Sequence, residues 1–231
     1  MSIKNIESRT VVESHVLSHL IHSEPGHKHA YENSEKNGLP MIAVSPSQGK
    51  LTSLLVALSG ARNVLEIGTL GGYSSIWLAR GLQGRGKVTS IEVNPQRRDV
   101  AIENLRYAGL RVPEDVEVLL GAGLDVLPKL EQEIKDGKRE GFDFVFVDAD
   151  WDNQWNYFDW GVKLSRGTGS AIYVDNAVQG MLESGIVGGG KKRDGVVDLV
   201  KMVGEDSRVE ATVMQTVGSK SFDGFLMAVV K

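Results

Sequence analysis

A chain of 231 residues, 41% of them apolar, is long enough for one α/β domain with a sizeable core. Its formal charge of −4 gives no general attraction to nucleic acid or to an anionic membrane surface. The absence of cysteine excludes disulfides, thiolate metal sites and cysteine nucleophiles, and suits a reducing compartment.

Residues 1–10 are polar and mixed in charge, without the apolar stretch of a secretory signal. No apolar run approaches the ~20 residues that span a bilayer, so a cytoplasmic protein with no membrane partner is expected. Residues 5–22 read as a helix with Ile6, Val12, Val16, Leu17 and Leu20 at its apolar positions. Residues 23–39 are polar and carry Pro25, Gly26 and Gly38, which predicts a loosely structured segment or lid. Ser45-Pro46-Ser47-Gln48 then opens a second helix running to Ser59: Ser45 fits the N-cap, Pro46 the first helical position, and Gln48 completes a capping box.

From Asn63 onward strands and helices alternate. Residues 64–67, 87–93, 116–120, 142–147 and 170–174 read as strands. Helices are expected over 74–80, 95–108, 122–135, from after Val147 to Leu164, and over 196–203. Residues 209–215 and 222–230 read as two terminal strands joined at a turn near Gly218, and these must pair antiparallel or lie adjacent. The alternation predicts a doubly wound, mostly parallel sheet with helices on both faces. Ligands then bind outside the carboxyl ends of the strands, which directs attention to Glu66, Gly68, Glu92, Gly121, Asp148, Asp150, Asp175 and Asn176.

The first strand runs out as Glu66-Ile67-Gly68-Thr69-Leu70-Gly71-Gly72-Tyr73-Ser74. A dinucleotide fingerprint would place glycine at 68, 70 and 73, but Leu70 and Tyr73 stand there, which argues against a NAD-dependent oxidoreductase. An acid two residues before the first glycine suits a ligand with a cationic amino group, such as the methionine part of S-adenosylmethionine (SAM). Glu92, ending the second strand, could accept both hydroxyls of a ribose, or it could be a solvated strand-end charge.

Two further strands end in acids, Val147-Asp148-Ala149-Asp150 and Val174-Asp175-Asn176. If they are neighbours, Asp148, Asp175 and Asn176 converge as a hard, all-oxygen set suited to Mg²⁺, with Mn²⁺ or Ca²⁺ as alternatives. The competing reading has Asp148 capping the next helix and Asp175-Asn176 forming a turn. Asp150 suits either a cofactor contact or a helix N-cap.

Together these segments resemble the cation-dependent O-methyltransferases of the caffeoyl-CoA and catechol type. The match runs from Ser45-Pro46-Ser47-Gln48-Gly49 through Val64-Leu65-Glu66-Ile67-Gly68, Gly72-Tyr73-Ser74, Val147-Asp148-Ala149-Asp150 and Asp175-Asn176 to Ser221-Phe222-Asp223-Gly224. The resemblance implies a Rossmann-like class I methyltransferase fold. Its seven-stranded, mostly parallel sheet has an antiparallel C-terminal strand. It implies one domain over 1–231, with an N-terminal helical or lid segment at 1–44 and the core at 45–231, and a homodimer. It implies metal ligands Asp148, Asp175 and Asn176, with Asp148 catalytic through the metal. It implies cofactor contacts at Glu66, Gly68, Ser74, Glu92, Gly123 and Asp150, and at Val44 through the backbone. The expected activity is SAM-dependent, divalent-cation-dependent methylation of a hydroxyl on a catechol-like or other phenolic small molecule. A protein that binds SAM without catalysis is the rival.

One position departs from the pattern. The family commonly reads Asp-Ala-Asp-Lys, with the lysine taken as general base; here Trp151 follows Asp150. A Trp cannot accept a proton, so a base would have to come from elsewhere, with His27, Lys28 or His29 as candidates if the N-terminal segment folds over the site. His15, His19 and His22 share a helical face, expected to be solvated or partner-facing rather than metal-binding. Trp151, Trp155 and Trp160 form a stripe expected to pack in the core. Residues 185–192, rich in glycine, read as a mobile substrate-side loop.

Overall fold

The computed structural model describes residues 6–22, 24–218 and 222–231. Its elements in chain order are α1 (Ile6–Leu20), α2 (Pro25–Lys36), α3 (Pro46–Ser59), β1 (Asn63–Ile67), α4 (Tyr73–Leu82), β2 (Lys87–Glu92), α5 (Pro95–Tyr107), β3 (Val116–Leu120), α6 (Gly123–Lys135), β4 (Phe144–Val147), a short 3₁₀ turn (Trp151–Asn153), α7 (Gln154–Leu164), β5 (Ala171–Val174), α8 (Ala177–Glu183), α9 (Leu199–Glu205), β6 (Val209–Val217) and β7 (Phe222–Val230). The seven strands form one sheet in the order β3-β2-β1-β4-β5-β7-β6. The first five are parallel, and β7 runs antiparallel to both β5 and β6. This is the expected Rossmann-like methyltransferase architecture.

Side-chain alternation along the strands splits the core in two. Val64, Phe144, Phe146, Ala171 and Tyr173 face one side, under α4 residues such as Ile76 and Leu78. Leu65, Ile67, Val145, Val147, Ile172 and Val174 face the other, against Leu127, Phe158 and Leu199 of α6, α7 and α9. Strands buried on both faces explain why the sequence shows near-continuous apolar runs there instead of alternation.

The Ser45 prediction holds in detail. Its hydroxyl accepts from the Gln48 N–H, and the Gln48 side chain accepts from the Ser45 N–H. The N-terminal segment differs from expectation: residues 25–36 form α2, where a loose segment or lid is predicted. Pro25 opens that helix, and a buried amide pair fastens it to α5, with Asn33 Nδ2 donating to Asn104 Oδ1 at 2.8 Å. Such a contact, 71 residues apart in sequence, overrides the turn-like local composition. The seven-residue helix α8 also goes unpredicted. Asn5 and Ser23, at the starts of the first two expected segments, lie outside the described residues. So do Ser219 to Ser221, where the terminal turn is expected. Among the described residues, no helix is long and apolar enough to cross a membrane.

Candidate active site

Register builds the site. Ile67 of β1 pairs with Ile91 of β2 and with Val147 of β4, and Val147 pairs with Val174 of β5. The residues that follow, Glu92, Gly68, Asp148 and Asp175, therefore form a row along the carboxyl edge. Backbone hydrogen bonds fix it: Gly68 N–H donates to Ile91 O at 3.0 Å, Asp148 N–H to Ile67 O at 2.9 Å, and Asp175 N–H to Val147 O at 2.8 Å. The chain order reverses between β1 and β4, so Gly68 and Asp148 mark the switch point where such sheets bind ligands. A cavity of about 970 Å³ opens over this row.

At the β1–β2 end, the loop after β1 turns sharply. Gly68 has φ +104°, and a Cβ there would lie 2.0 Å from the Asp148 carbonyl oxygen, so only glycine fits this close approach. Leu70 adopts φ +50° at a position where a dinucleotide loop would use glycine. Its N–H donates to Glu92 Oε2 at 2.8 Å, and the Asn94 N–H donates to Glu92 Oε1 at 2.9 Å. Glu92 is buried and lines the cavity. Each of its oxygens keeps a second lone pair for a ligand hydroxyl.

Glu66 sits differently from the other expected cofactor residues. It is fully buried beneath the loop and does not line the cavity. Its Oε2 accepts from Ser75 and, at 2.5 Å, from Ser90, while Oε1 has no partner. Burial pushes its carboxyl up to about 7 against the pull of the serine hydroxyls, with nearby Glu92 adding to the rise. The remaining expected cofactor positions, Val44, Gly68, Ser74, Glu92, Gly123 and Asp150, all line the cavity. Gly123 sits against Tyr157, where a Cβ would approach the ring to 2.7 Å. Tyr157 donates its hydroxyl to Asp150 Oδ1 at 2.5 Å and Asn153 Nδ2 donates to Oδ2 at 2.5 Å. Asp150 precedes the 3₁₀ turn without capping it by a side-chain bond.

At the β4–β5 end, Asp148, Asp175 and Asn176 all line the cavity. Burial, then Glu66, then Asp223 push the Asp148 carboxyl up to about 7. Burial, then Asp148, push Asp175 well above the usual carboxylate range. Gln48 Nε2 donates to Asp175 Oδ1 at 3.2 Å, tying the start of α3 to this tip. Asn176 has φ +55°, a left-handed conformation that Asn tolerates better than most residues. Asp148 caps no helix, whereas Asp175-Asn176 do form a turn, one that leads directly into α8. Among the described residues no three His, Cys, Asp or Glu side chains form a metal-binding group; the expected set has two carboxylates and an amide.

Sequence reasoning missed Gln48, Tyr157 and Asp223 as members of the site. The capping-box and terminal Ser-Phe-Asp-Gly segments were visible, but not where their side chains point. The N-terminal base candidates do not reach the cavity. His27 is buried in a stack on Trp77 with ring centroids 3.9 Å apart, and burial lowers its pKa to about 4. His29 stacks on Tyr107, and Lys28 is solvated beside Glu32. His15, His19 and His22 are exposed, the first two with rings 4.3 Å apart. Trp155 and Trp160 pack on the core as expected, but Trp151 lines the cavity instead. Residues 185–192 do not line it.

The sequence profile of the O-methyltransferase family matches residues 21–228. The chain belongs to this O-methyltransferase family. An O-methyltransferase of Aspergillus flavus, imqG, is 42% identical over 226 residues, covering 95% of this chain and 90% of that protein. A catechol O-methyltransferase of Mycobacterium tuberculosis is 41% identical over 222 residues, covering 95% of each. The crystal structure of an O-methyltransferase from Bacillus cereus in complex with S-adenosylhomocysteine (SAH) superposes with a TM-score of 0.87. It has 42% identity and covers 98% of this chain and 100% of that one. The O-methyltransferase described here is thus an enzyme of the SAM-dependent type, as its glycine loop and strand-end acids imply.

Proposed function

We propose that this O-methyltransferase transfers the methyl group of SAM to a hydroxyl of a catechol-like phenol, with a divalent cation held by Asp148, Asp175 and Asn176. The row of Glu92, Gly68, Asp148 and Asp175 on one sheet edge supports this reading, because it sets Glu92 and the glycine loop beside two acidic strand tips in a single cavity. The donor set fits a hard cation. All three line one cavity, and burial first, then neighbouring carboxylates, push Asp148 and Asp175 up, a cost that a bound cation would relieve. Among the described lining residues Arg97 is the one cationic side chain, and it belongs to α5, at the β2 end.

Val44, Gly68, Ser74, Glu92, Gly123 and Asp150 would hold the methyl donor, with Glu92 accepting from ribose hydroxyls. Glu66 supports the loop from below. When bound, the cation supplies Lewis acidity that lowers the pKa of a coordinated hydroxyl. The chain's own residues do the positioning. Tyr31, Met41, Trp151 and Val217 give the cavity apolar walls that take an aromatic ring and exclude water. Trp151 leaves the wall without a proton acceptor at the family's lysine position. The scarcity of lining cations favours a small neutral acceptor over one carrying phosphates, in keeping with the catechol enzyme of M. tuberculosis.

The test is incubation with SAM and catechol, with Mg²⁺ or with EDTA, followed by mass spectrometry of methylated catechol and SAH. Transfer is expected with Mg²⁺, to fall at least roughly 100-fold with EDTA, and to return when Mg²⁺ is restored. Chelator-insensitive transfer removes the cation from the reading. Tight SAM binding without transfer to catechol or hydroxycinnamates favours the non-catalytic rival.

A further inference from the structure

Asp223, on β7, is 47 residues from Asn176 in sequence, yet its carboxylate accepts from Asn176 Nδ2 at 2.8 Å through Oδ2. Its other oxygen accepts from the Gln179 backbone N–H at 3.0 Å. Asn176 occupies the N-cap position of α8 but makes no side-chain capping bond there. Asp223 therefore caps α8 from another strand in place of Asn176, which lines the cavity and is held by its amide nitrogen. An ionised carboxylate only accepts, and of the two ends of an amide only the nitrogen donates. The contact with Asp223 thus fixes which end of the Asn176 amide faces away, and it turns Oδ1 from β7. Gly224 allows the approach: a Cβ there would meet the Met214 carbonyl at 2.2 Å and Val178 of α8 at 2.5 Å.

We infer that Asp223 is a positioning residue that sets the amide orientation of Asn176, so that its carbonyl oxygen is presented as a cation ligand beside Asp148 and Asp175. The inference rests on the proposed cation site. Partners that orient metal ligands from behind recur in metal sites, and their loss weakens metal binding by about 10–100-fold.

The test is Mn²⁺ affinity, read from the electron paramagnetic resonance signal of free Mn²⁺ without donor or acceptor. In Asp223→Asn the fixed Gln179 N–H retains the amide oxygen, so the new amide nitrogen faces Asn176 and forces its Oδ1 around. Mn²⁺ affinity is expected to fall at least tenfold, with SAH affinity within about threefold of wild type. In the swap Asn176→Asp with Asp223→Asn, the residue at 223 donates to a carboxylate at 176, which still offers an oxygen to the cation. Mn²⁺ affinity is expected to return to within about threefold of wild type. A purely structural role for Asp223 predicts instead that D223N weakens SAH affinity along with Mn²⁺ affinity, the readout that separates the two. Wild-type affinity in D223N, or a swap that stays tenfold weak, overturns the inference while the cation site stands. Absence of Mn²⁺ binding by the wild-type protein overturns the cation site and the inference with it. Should D223N alone not fold, the swap decides by the same threshold.

Discussion

The two ends of the cavity place carboxylates on the same sheet edge and treat them in opposite ways. At the β2 tip, both oxygens of Glu92 accept backbone N–H groups, from Leu70 and Asn94. At the β4 and β5 tips, Asp148 and Asp175 face each other and Asp223, and burial drives both toward the protonated form. Backbone N–H donors satisfy a buried carboxylate, whereas like-charged neighbours push an acid toward its protonated form. The first end is satisfied within the chain, as suits the ribose contact proposed for it. The second gathers carboxylates with no cationic side chain of the described cavity lining beside them, which is what the proposed cation would balance.

The sharpest way to break this contrast is Asp148→Asn, which removes charge from the second end alone. Turnover of catechol with Mg²⁺ is expected to fall by roughly 10³-fold or more, while SAH affinity by calorimetry stays within about threefold. A parallel loss of SAH binding would mean the two ends are not separable. The reciprocal change, Glu92→Gln, leaves one oxygen to serve two backbone N–H groups and removes the charge. SAH affinity is expected to weaken about 10- to 100-fold, from the loss of charge-assisted hydrogen bonds, with Mn²⁺ affinity unmoved. Equal effects on both ligands would contradict the division.

Glu66 lies under both ends and sharpens the comparison through pH. Its electrostatic partners include Glu92 on one side and Asp148 on the other. Folding raises its pKa from the ordinary 4.5 to about 7. Its stabilising contribution is therefore fully present below pH 4.5 and is lost as pH rises through about 7. Glu66→Gln is expected to flatten this decline in the unliganded protein. The difference from wild type between pH 4 and pH 8 should reach at most about 3 kcal/mol by denaturant unfolding. Parallel pH profiles of the two proteins would show that Glu66 is not the group responsible.

Much of this was legible in one dimension because it is locally encoded. β3 and β7 occupy the predicted residues 116–120 and 222–230, and α3 starts at its capping box. Asp148 and Asp175 could be singled out because each ends an apolar strand. That the tips are neighbours needed the pairing of β4 with β5. What was not legible depends on long-range contacts. Residues 25–36 have the composition of a loop, and the Asn33–Asn104 pair is part of what holds them as α2. The reach of Gln48 to Asp175 spans 127 residues, and that of Asp223 to Asn176 spans 47. The burial of Glu66 away from the cavity follows from the serines of α4 and β2 closing around it. His27 looked like a mobile base because its neighbours in sequence are polar; its neighbours in space are Trp77 and Tyr73.

The hydrogen atom at Gly68, where any other amino acid has a Cβ, lies against the Asp148 backbone at the junction of the two ends of the cavity. For anyone reshaping this scaffold toward new acceptors, that position is a fixed point. Libraries that vary Met41, Trp151 and Val217 reshape the wall, whereas even an alanine at 68 would collide with the Asp148 backbone and shift the glycine loop and the acidic tip together.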